Sequence, residues 1–265
     1  MIKTRFGATV ENIKSASDLF YLESYALFDE SGAVIQNAGI MFDNGASIEE
    51  IDAYIRGEYN KIVAEKYKKQ ANLSKRFAKR TFENFNLESA MQKNAFKIAK
   101  KYAEDINKNI ESGTNIIFVG KGSVGTGKTH LACAIANHIL NNGVPVKVLN
   151  VVSLVDELKE FTPAVKKELK TVKVLLIDDL GKENNTLWLC SEIYGIINAR
   201  YESELPTIIT TEGALNDLEN NYIVEINGKR VNKGCSMISR LTESCFLVAM
   251  QGEDYRAKKG AECKN

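Results

Sequence analysis

The sequence predicts an α/β chain: a core built on a mostly parallel sheet flanked by helices, preceded by a small, mostly helical N-terminal domain. Two observations predict it. From residue 115 onward, short apolar runs at 115–119, 146–149, 172–177, 207–210 and 245–250 alternate with helical stretches at about 128–141, 152–161, 186–203 and 235–243. Strands that alternate with helices bury themselves as a layered sheet. Before that point, from residue 47, apolar residues recur at three- and four-residue steps, which is the helical period.

Composition narrows the classes. A chain of 265 residues with 44% hydrophobic content can bury a sizeable core, as one large domain or one domain plus a smaller one. Lys and Arg (35) nearly balance Asp and Glu (34), so no global basic field points to nucleic acid, and any such role rests on local patches. The five cysteines form no C-x-x-C and read as thiols of a reducing compartment, not as a disulfide framework or zinc site. The first residues lack the apolar stretch of a secretory signal, and no later run has the length of a membrane span. A cytoplasmic protein with no membrane partner is expected.

The elements follow in order. Residues 1–45 fit neither period cleanly, with apolar clusters at 19–22 and 40–42, and 29–32 reads as the turn of a strand pair. Ser47-Ile48-Glu49-Glu50 then makes a capping box, and Ile48, Ile51, Ile55, Tyr59 and Ile62 carry a helix onward despite Gly57. Its far end is basic: eight Lys and Arg from Lys61 to Arg80 are opposed only by Glu65. That stretch is either a solvated face and linker or a patch for nucleic acid or an acidic partner. It places a domain boundary near residue 75. A second amphipathic helix follows, with Leu87, Met91, Ala95, Ile98, Tyr102 and Ile106 on one side.

Between the runs ending at Val119 and beginning at His130 lies Gly122-Ser123-Val124-Gly125-Thr126-Gly127-Lys128-Thr129, a G-x-x-x-x-G-K-[ST] motif in its required strand-then-helix context. The glycines let the backbone wrap a phosphate chain and aim its N–H groups inward, and the helix presents its positive end to the same anion. Lys128 reaches the β/γ-phosphates, Thr129 ligates Mg²⁺, and a nucleoside triphosphate is the expected ligand. Val174-Leu175-Leu176-Ile177-Asp178-Asp179 is an apolar strand ending in two acids. It delivers Asp178 to the sheet edge as a metal ligand and Asp179 to orient or deprotonate the attacking water. The polar end of 206–212, with Thr211, is expected between these acids and the γ-phosphate. Arg240 reads either as a surface arginine or as one that acts across a subunit boundary.

These pieces, together with Arg76-Phe77-Ala78-Lys79-Arg80-Thr81-Phe82-Glu83-Asn84-Phe85, the Gly-Lys-Thr-His130-Leu-Ala run, Ile197-Asn198-Ala199-Arg200-Tyr201, Leu205-Pro206-Thr207-Ile208-Ile209-Thr210, Ser239-Arg240-Leu241 and Gly252-Glu253-Asp254-Tyr255-Arg256, resemble in order the DnaC/DnaI-type helicase loaders and the related IstB transposition ATPases. The match covers roughly 76–256. It implies an AAA+ P-loop ATPase core that self-associates through nucleotide-bridged interfaces, with ATP and Mg²⁺ as cofactors. It also implies that Arg240 is the arginine finger, that Phe82 and Phe85 pack near the base, that His130 belongs to the nucleotide site, and that Arg256 is a sensor-like arginine.

Three departures stand out. The family usually ends the Pro-Thr-Ile-Ile-Thr strand with an asparagine that senses the γ-phosphate, whereas Thr211 is followed here by Glu212, an acid that repels phosphate unless turned away. Thr211 is the expected substitute. No Cys or His precedes His130, so the zinc module of some loaders has no counterpart. Residues 222–231 look like an insertion, a hairpin turning at Asn227-Gly228 with a basic tip.

The resemblance implies an ATP-dependent loader of a replicative DNA helicase onto single-stranded DNA, of phage type, with ATP binding and hydrolysis driving assembly and release. Residues 1–75 form the helicase-binding domain and 76–265 the ATPase domain. Lys229, Arg230 and Lys233 on the hairpin, and Lys75 and Arg76 at the junction, are the candidate DNA contacts. An IstB-type transposition helper acting on duplex DNA and a non-hydrolysing ATP-dependent adaptor are the alternatives; the substantial N-terminal region favours the loader.

Overall fold

The computed structural model describes residues 37, 40–41, 43–71, 73–120, 124–159, 162–184, 186–226 and 229–255. The apolar cluster at 19–22, the strand pair at 29–32, the loop residues Gly122 and Ser123, the Asn227-Gly228 turn and Arg256 lie outside them. The described residues group into two compact units, one of Met1–Lys66 with Asn141–Gly143 and one of Tyr67–Leu140 with Val144–Asn265.

The first helix, α1, is Ile48–Gln70. Its capping box forms as the spelling requires: Ser47 N donates to Glu50 Oε2 at 2.8 Å and Glu50 N to Ser47 Oγ at 3.3 Å. Three helical pieces and a strand follow: α2 (Lys75–Ala78), α3 (Ala90–Glu104), α4 (Ile106–Glu111) and then β1 (Asn115–Val119). The expected single helix past Leu87 is thus two, with Ile106 opening the second. A capping box of Ser89 and Gln92 sets the start of α3.

The remaining elements are α5 (Lys128–Asn141), β2 (Val146–Asn150), α6 (Val151–Lys159), α7 (Pro163–Thr171), β3 (Val174–Asp178), α8 (Leu187–Glu202), β4 (Thr207–Thr210), α9 (Leu215–Asn221), β5 (Ile223–Ile226), β6 (Lys229–Asn232), α10 (Lys233–Glu243) and β7 (Cys245–Ala249). All five expected strands of the core are present. They form one sheet in the order β2-β3-β4-β1-β7, every pair parallel. The insertion is an antiparallel pair, β5 with β6.

Strand alternation sorts the core into two layers. Ile116, Phe118, Val174, Leu176 and Ile208 pack with α3 and α5, whereas Ile117, Val119, Leu175, Ile177 and Ile209 pack with α6, α8 and α10. Covered on both faces, β1 and β3 are buried at every position. The sheet therefore presents the C-terminal ends of β1, β2 and β3 together at one edge, where a doubly wound sheet places its ligands.

One charged side chain sits inside this core. Arg200, on α8, is 1% exposed and gives its guanidinium four neutral acceptors: Thr207 Oγ1 at 3.1 Å and the carbonyls of Leu169 (3.1 Å), Val172 (2.9 Å) and Pro206 (2.6 Å). It ties α7, α8 and the start of β4 to one another.

Candidate nucleotide site

A cleft of about 810 Å³ opens at that sheet edge. Its floor is the loop into α5. Gly125 and Gly127 adopt φ of +69° and +100°, conformations that side chains resist, and the space beside them is taken: a Cβ on Gly127 would stand 2.7 Å from Phe85 Cε2. Lys128 is buried, and its ammonium lies 3.4 Å from Thr126 Oγ1. A buried cation at the mouth of a glycine loop is matched to a polyanion.

The acids come from the neighbouring strands. The register aligns Ile177 with Ile209, so the next residues, Asp178 and Thr210, end side by side. Thr210 Oγ1 donates to Asp178 Oδ1 at 2.6 Å and accepts the Asp179 N–H at 2.9 Å. The Thr129 hydroxyl also lies close enough to Asp178 to favour its charged form. Burial raises the Asp178 carboxyl above its ordinary value, with these two hydroxyls pulling the other way. Asp179 has a left-handed backbone, φ +61°, which for a non-glycine residue is strain of the kind that collects at functional sites.

Beside them stands an ion cluster: Lys182 Nζ is 3.0 Å from Asp179 Oδ2 and 2.5 Å from Glu212 Oε1. Burial disfavours the Lys182 charge, but its bonds to Glu212 and Asp179 outweigh this and hold its pKa above the ordinary lysine value. Glu212 thus lines the cleft with its carboxylate paired.

The structure brings Val124, Gly125, Thr126, Gly127, Lys128, Thr129, His130, Asp178 and Asp179 together around this cleft. It moves others. Thr211 is buried and is not among the described lining residues; the hydroxyl at the acids belongs to Thr210, because alternation along β4 turns adjacent side chains to opposite faces. Phe82 is buried in the core against Phe96. Phe85 packs on the outside of the glycine loop, 5.2 Å from the His130 ring. His130 Nε2 meets both Thr81 O and Asn84 Oδ1 at 2.9 Å, and Asn137, two turns along the same helix face, donates to the carbonyls of Phe77 and Arg80. Together they stitch the 77–85 segment to α5. Burial lowers the His130 pKa.

Arg240 lies elsewhere, beside a separate cavity of about 310 Å³, its guanidinium 5.4 and 5.7 Å from the rings of Tyr194 and Tyr201. Of the candidate DNA contacts, Lys75, Lys229 and Arg230 are exposed. Arg76 is also exposed but lines the nucleotide cleft. Lys233 turns inward to Ser191 Oγ at 2.8 Å. Sequence reasoning missed Phe77, Arg80, Asn150, Lys182 and Tyr255 as lining residues. For Tyr255 a signal existed, its place beside Arg256 in the 252–256 motif.

Fold and site together define a P-loop NTPase. The family model for IstB-like ATP binding proteins matches residues 39–263, and the chain belongs to that family. It is 30% identical over 185 residues to the replicative helicase loader DnaC of Escherichia coli K12, covering 67% of this chain and 69% of that one. It is 29% identical over 187 residues to the DnaC of Buchnera aphidicola subsp. Schizaphis graminum, covering 66% and 72%. Among solved structures, a DnaC helicase loader superposes with a TM-score of 0.57 at 27% identity, covering 67% of this chain and 99% of that one. The core is the AAA+ fold that the resemblance implied. No helix among the described residues is long and apolar enough to cross a membrane.

Proposed function

We propose that this protein is an ATP-hydrolysing loader of a replicative DNA helicase onto single-stranded DNA, with Mg²⁺ as cofactor. The observation that carries the reading is the convergence in one cleft of Lys128, Thr129, Asp178 and Asp179. A hydroxyl and a carboxylate lining one cleft with a phosphate-binding lysine are oxygen donors that suit a hard divalent ion. Thr129 and Asp178 would hold Mg²⁺, which would neutralise charge on the phosphates. Lys128 and the inward N–H groups bind the β/γ-phosphates. Asp179 orients a water for attack on the terminal phosphorus and takes its proton, and ADP and phosphate leave.

The non-hydrolysing alternative rests on Glu212. Its pairing with Lys182 supports the hydrolytic reading, since a compensated carboxylate repels phosphate far less than a bare one. Arg240, remote from the cleft of its own subunit, supports a role across an interface. The helicase and single-stranded DNA as partners rest on similarity to the DnaC loaders, and 1–75 is the proposed helicase-binding domain.

The test combines turnover with capture. Wild-type protein should hydrolyse ATP, bind single-stranded oligonucleotide more tightly with ATP present, and retain the host's replicative helicase in a pull-down. Lys128→Ala should lose tight ATP binding, and Asp179→Asn should bind ATP without turning it over. Wild-type hydrolysis in both variants would refute the site, and failure to retain the helicase would refute the loader.

A further inference from the structure

Lys182 has no part in the phosphate-binding motif or the acidic pair, yet it lines the same cleft. It contacts two carboxylates at once, Glu212 at 2.5 Å and Asp179 at 3.0 Å. Gly120 marks the position of this cluster along the cleft: a Cβ there would stand 2.7 Å from Lys128 Nζ and 3.0 Å from the Glu212 carbonyl oxygen. The Glu212 main chain therefore borders the ammonium assigned to the β/γ-phosphates, and Glu212 lines the same cleft. The side chains of Lys182, Asp179 and Glu212 are 39%, 34% and 36% exposed, so the ion pairs are solvated and able to exchange partners.

The charges set the argument. One ammonium serves two carboxylates, leaving the cluster net negative where a terminal phosphate would enter. A triphosphate brings further negative charge to this point and a diphosphate does not. A phosphate oxygen that reaches Lys182 competes directly with the Glu212 carboxylate for the same donors.

We propose that Lys182 is the residue through which this site distinguishes nucleoside triphosphate from diphosphate: its ammonium leaves Glu212 for a terminal phosphate oxygen, and Glu212 recaptures it when that phosphate is absent. Glu212 is then the competitor that sets how strongly the triphosphate is preferred. Lys182 acts here as a specificity residue and leaves the reaction chemistry to Asp179. The inference rests on the reading of the cleft as a nucleotide site.

The experiment is calorimetric titration of the full chain with Mg²⁺-ATP and with Mg²⁺-ADP at fixed ionic strength, for wild type, Lys182→Met, Lys182→Arg, Glu212→Gln and the Lys182→Met/Glu212→Gln pair. Lys182→Met should weaken ATP about tenfold while ADP changes by no more than about twofold. Lys182→Arg should keep most of the preference. Glu212→Gln should raise the ATP-over-ADP preference several-fold, and the loss from Lys182→Met should grow in its background because the ammonium no longer has to be taken from Glu212. Equal changes for both nucleotides would overturn the proposal, as would an unchanged preference in Glu212→Gln, a variant that keeps the size and an acceptor oxygen while removing the charge and so tests the idea even if Lys182→Met folds poorly. If wild type binds neither nucleotide, the site reading itself fails, a result distinct from binding without discrimination.

Discussion

Thr210 and Asp178 are joined by a 2.6 Å hydrogen bond between two side chains almost wholly removed from water. The same hydroxyl oxygen accepts the Asp179 N–H, so one threonine positions both acids of the cleft. Replacing it with valine keeps the shape and removes both bonds. Thr210→Val should cost about 2 kcal/mol of stability, the range for a hydrogen bond to a charged group, and weaken Mg²⁺-dependent nucleotide binding about tenfold. Thr210→Ser should retain both. Thermal melting with a Mg²⁺ titration checks this; unchanged metal dependence in the valine variant would refute it.

Arg200 makes its prediction through the groups it would leave behind. Arg200→Met fits the space but takes a donor from three carbonyls and the Thr207 hydroxyl in the core, of which Pro206 O keeps the Leu175 N–H. A loss of about 3 to 5 kcal/mol is expected in urea unfolding, with little effect from mutating the exposed Lys75 in parallel.

The pH dependence follows from His130. Burial lowers its folded pKa, so between that value and the ordinary value of about 6.5 the unfolded chain binds more protons than the folded one. This contribution to stability is complete above the ordinary value and is lost as pH falls through the window to the folded pKa. His130→Gln should flatten the stability profile across that window. A wild-type-like slope in the variant would assign the dependence to other groups.

Arg240 is expected to act on the nucleotide of a neighbouring subunit. Inactive Arg240→Ala and Lys128→Ala subunits, when mixed, should regain part of the ATPase activity, since some interfaces then pair an intact loop with an intact arginine. No recovery across mixing ratios, with association verified, would leave Arg240 a structural residue between Tyr194 and Tyr201.

For DNA, the exposed pair on β6 is the cleaner probe, because Arg76 also lines the nucleotide cleft. Lys229→Ala with Arg230→Ala should weaken single-stranded oligonucleotide binding and flatten its salt dependence by a slope of roughly 0.7 per lost phosphate contact. Unchanged affinity and slope would remove the hairpin from the DNA surface.

Much of this was legible because the relevant signals are local. The short continuous apolar runs of the strands, the glycine loop with its flanking strand and helix, and the Ser47–Glu50 box each occupy a few consecutive residues. Helices α4, α7 and α9 escaped because six to nine residues span too few turns to show a period, although Pro163 at the first turn of α7 was a readable start signal. Arg200 escaped because a charged residue is expected outside, and only the acceptors gathered by three elements make its burial tolerable.

The sequence by itself determined the layered α/β core, the phosphate loop and the pair of acids, since each is written in backbone preference and side-chain chemistry along a short stretch of chain. The tertiary structure alone decided that Thr210 rather than Thr211 meets Asp178, that Phe82 is core, and that Lys182 pairs with Glu212. Those outcomes depend on strand register and on the approach of residues some thirty positions apart. A one-residue slip along β4 would exchange which threonine faces the acids, and nothing in the local spelling of Thr210-Thr211-Glu212 encodes the neighbour that neutralises its acid.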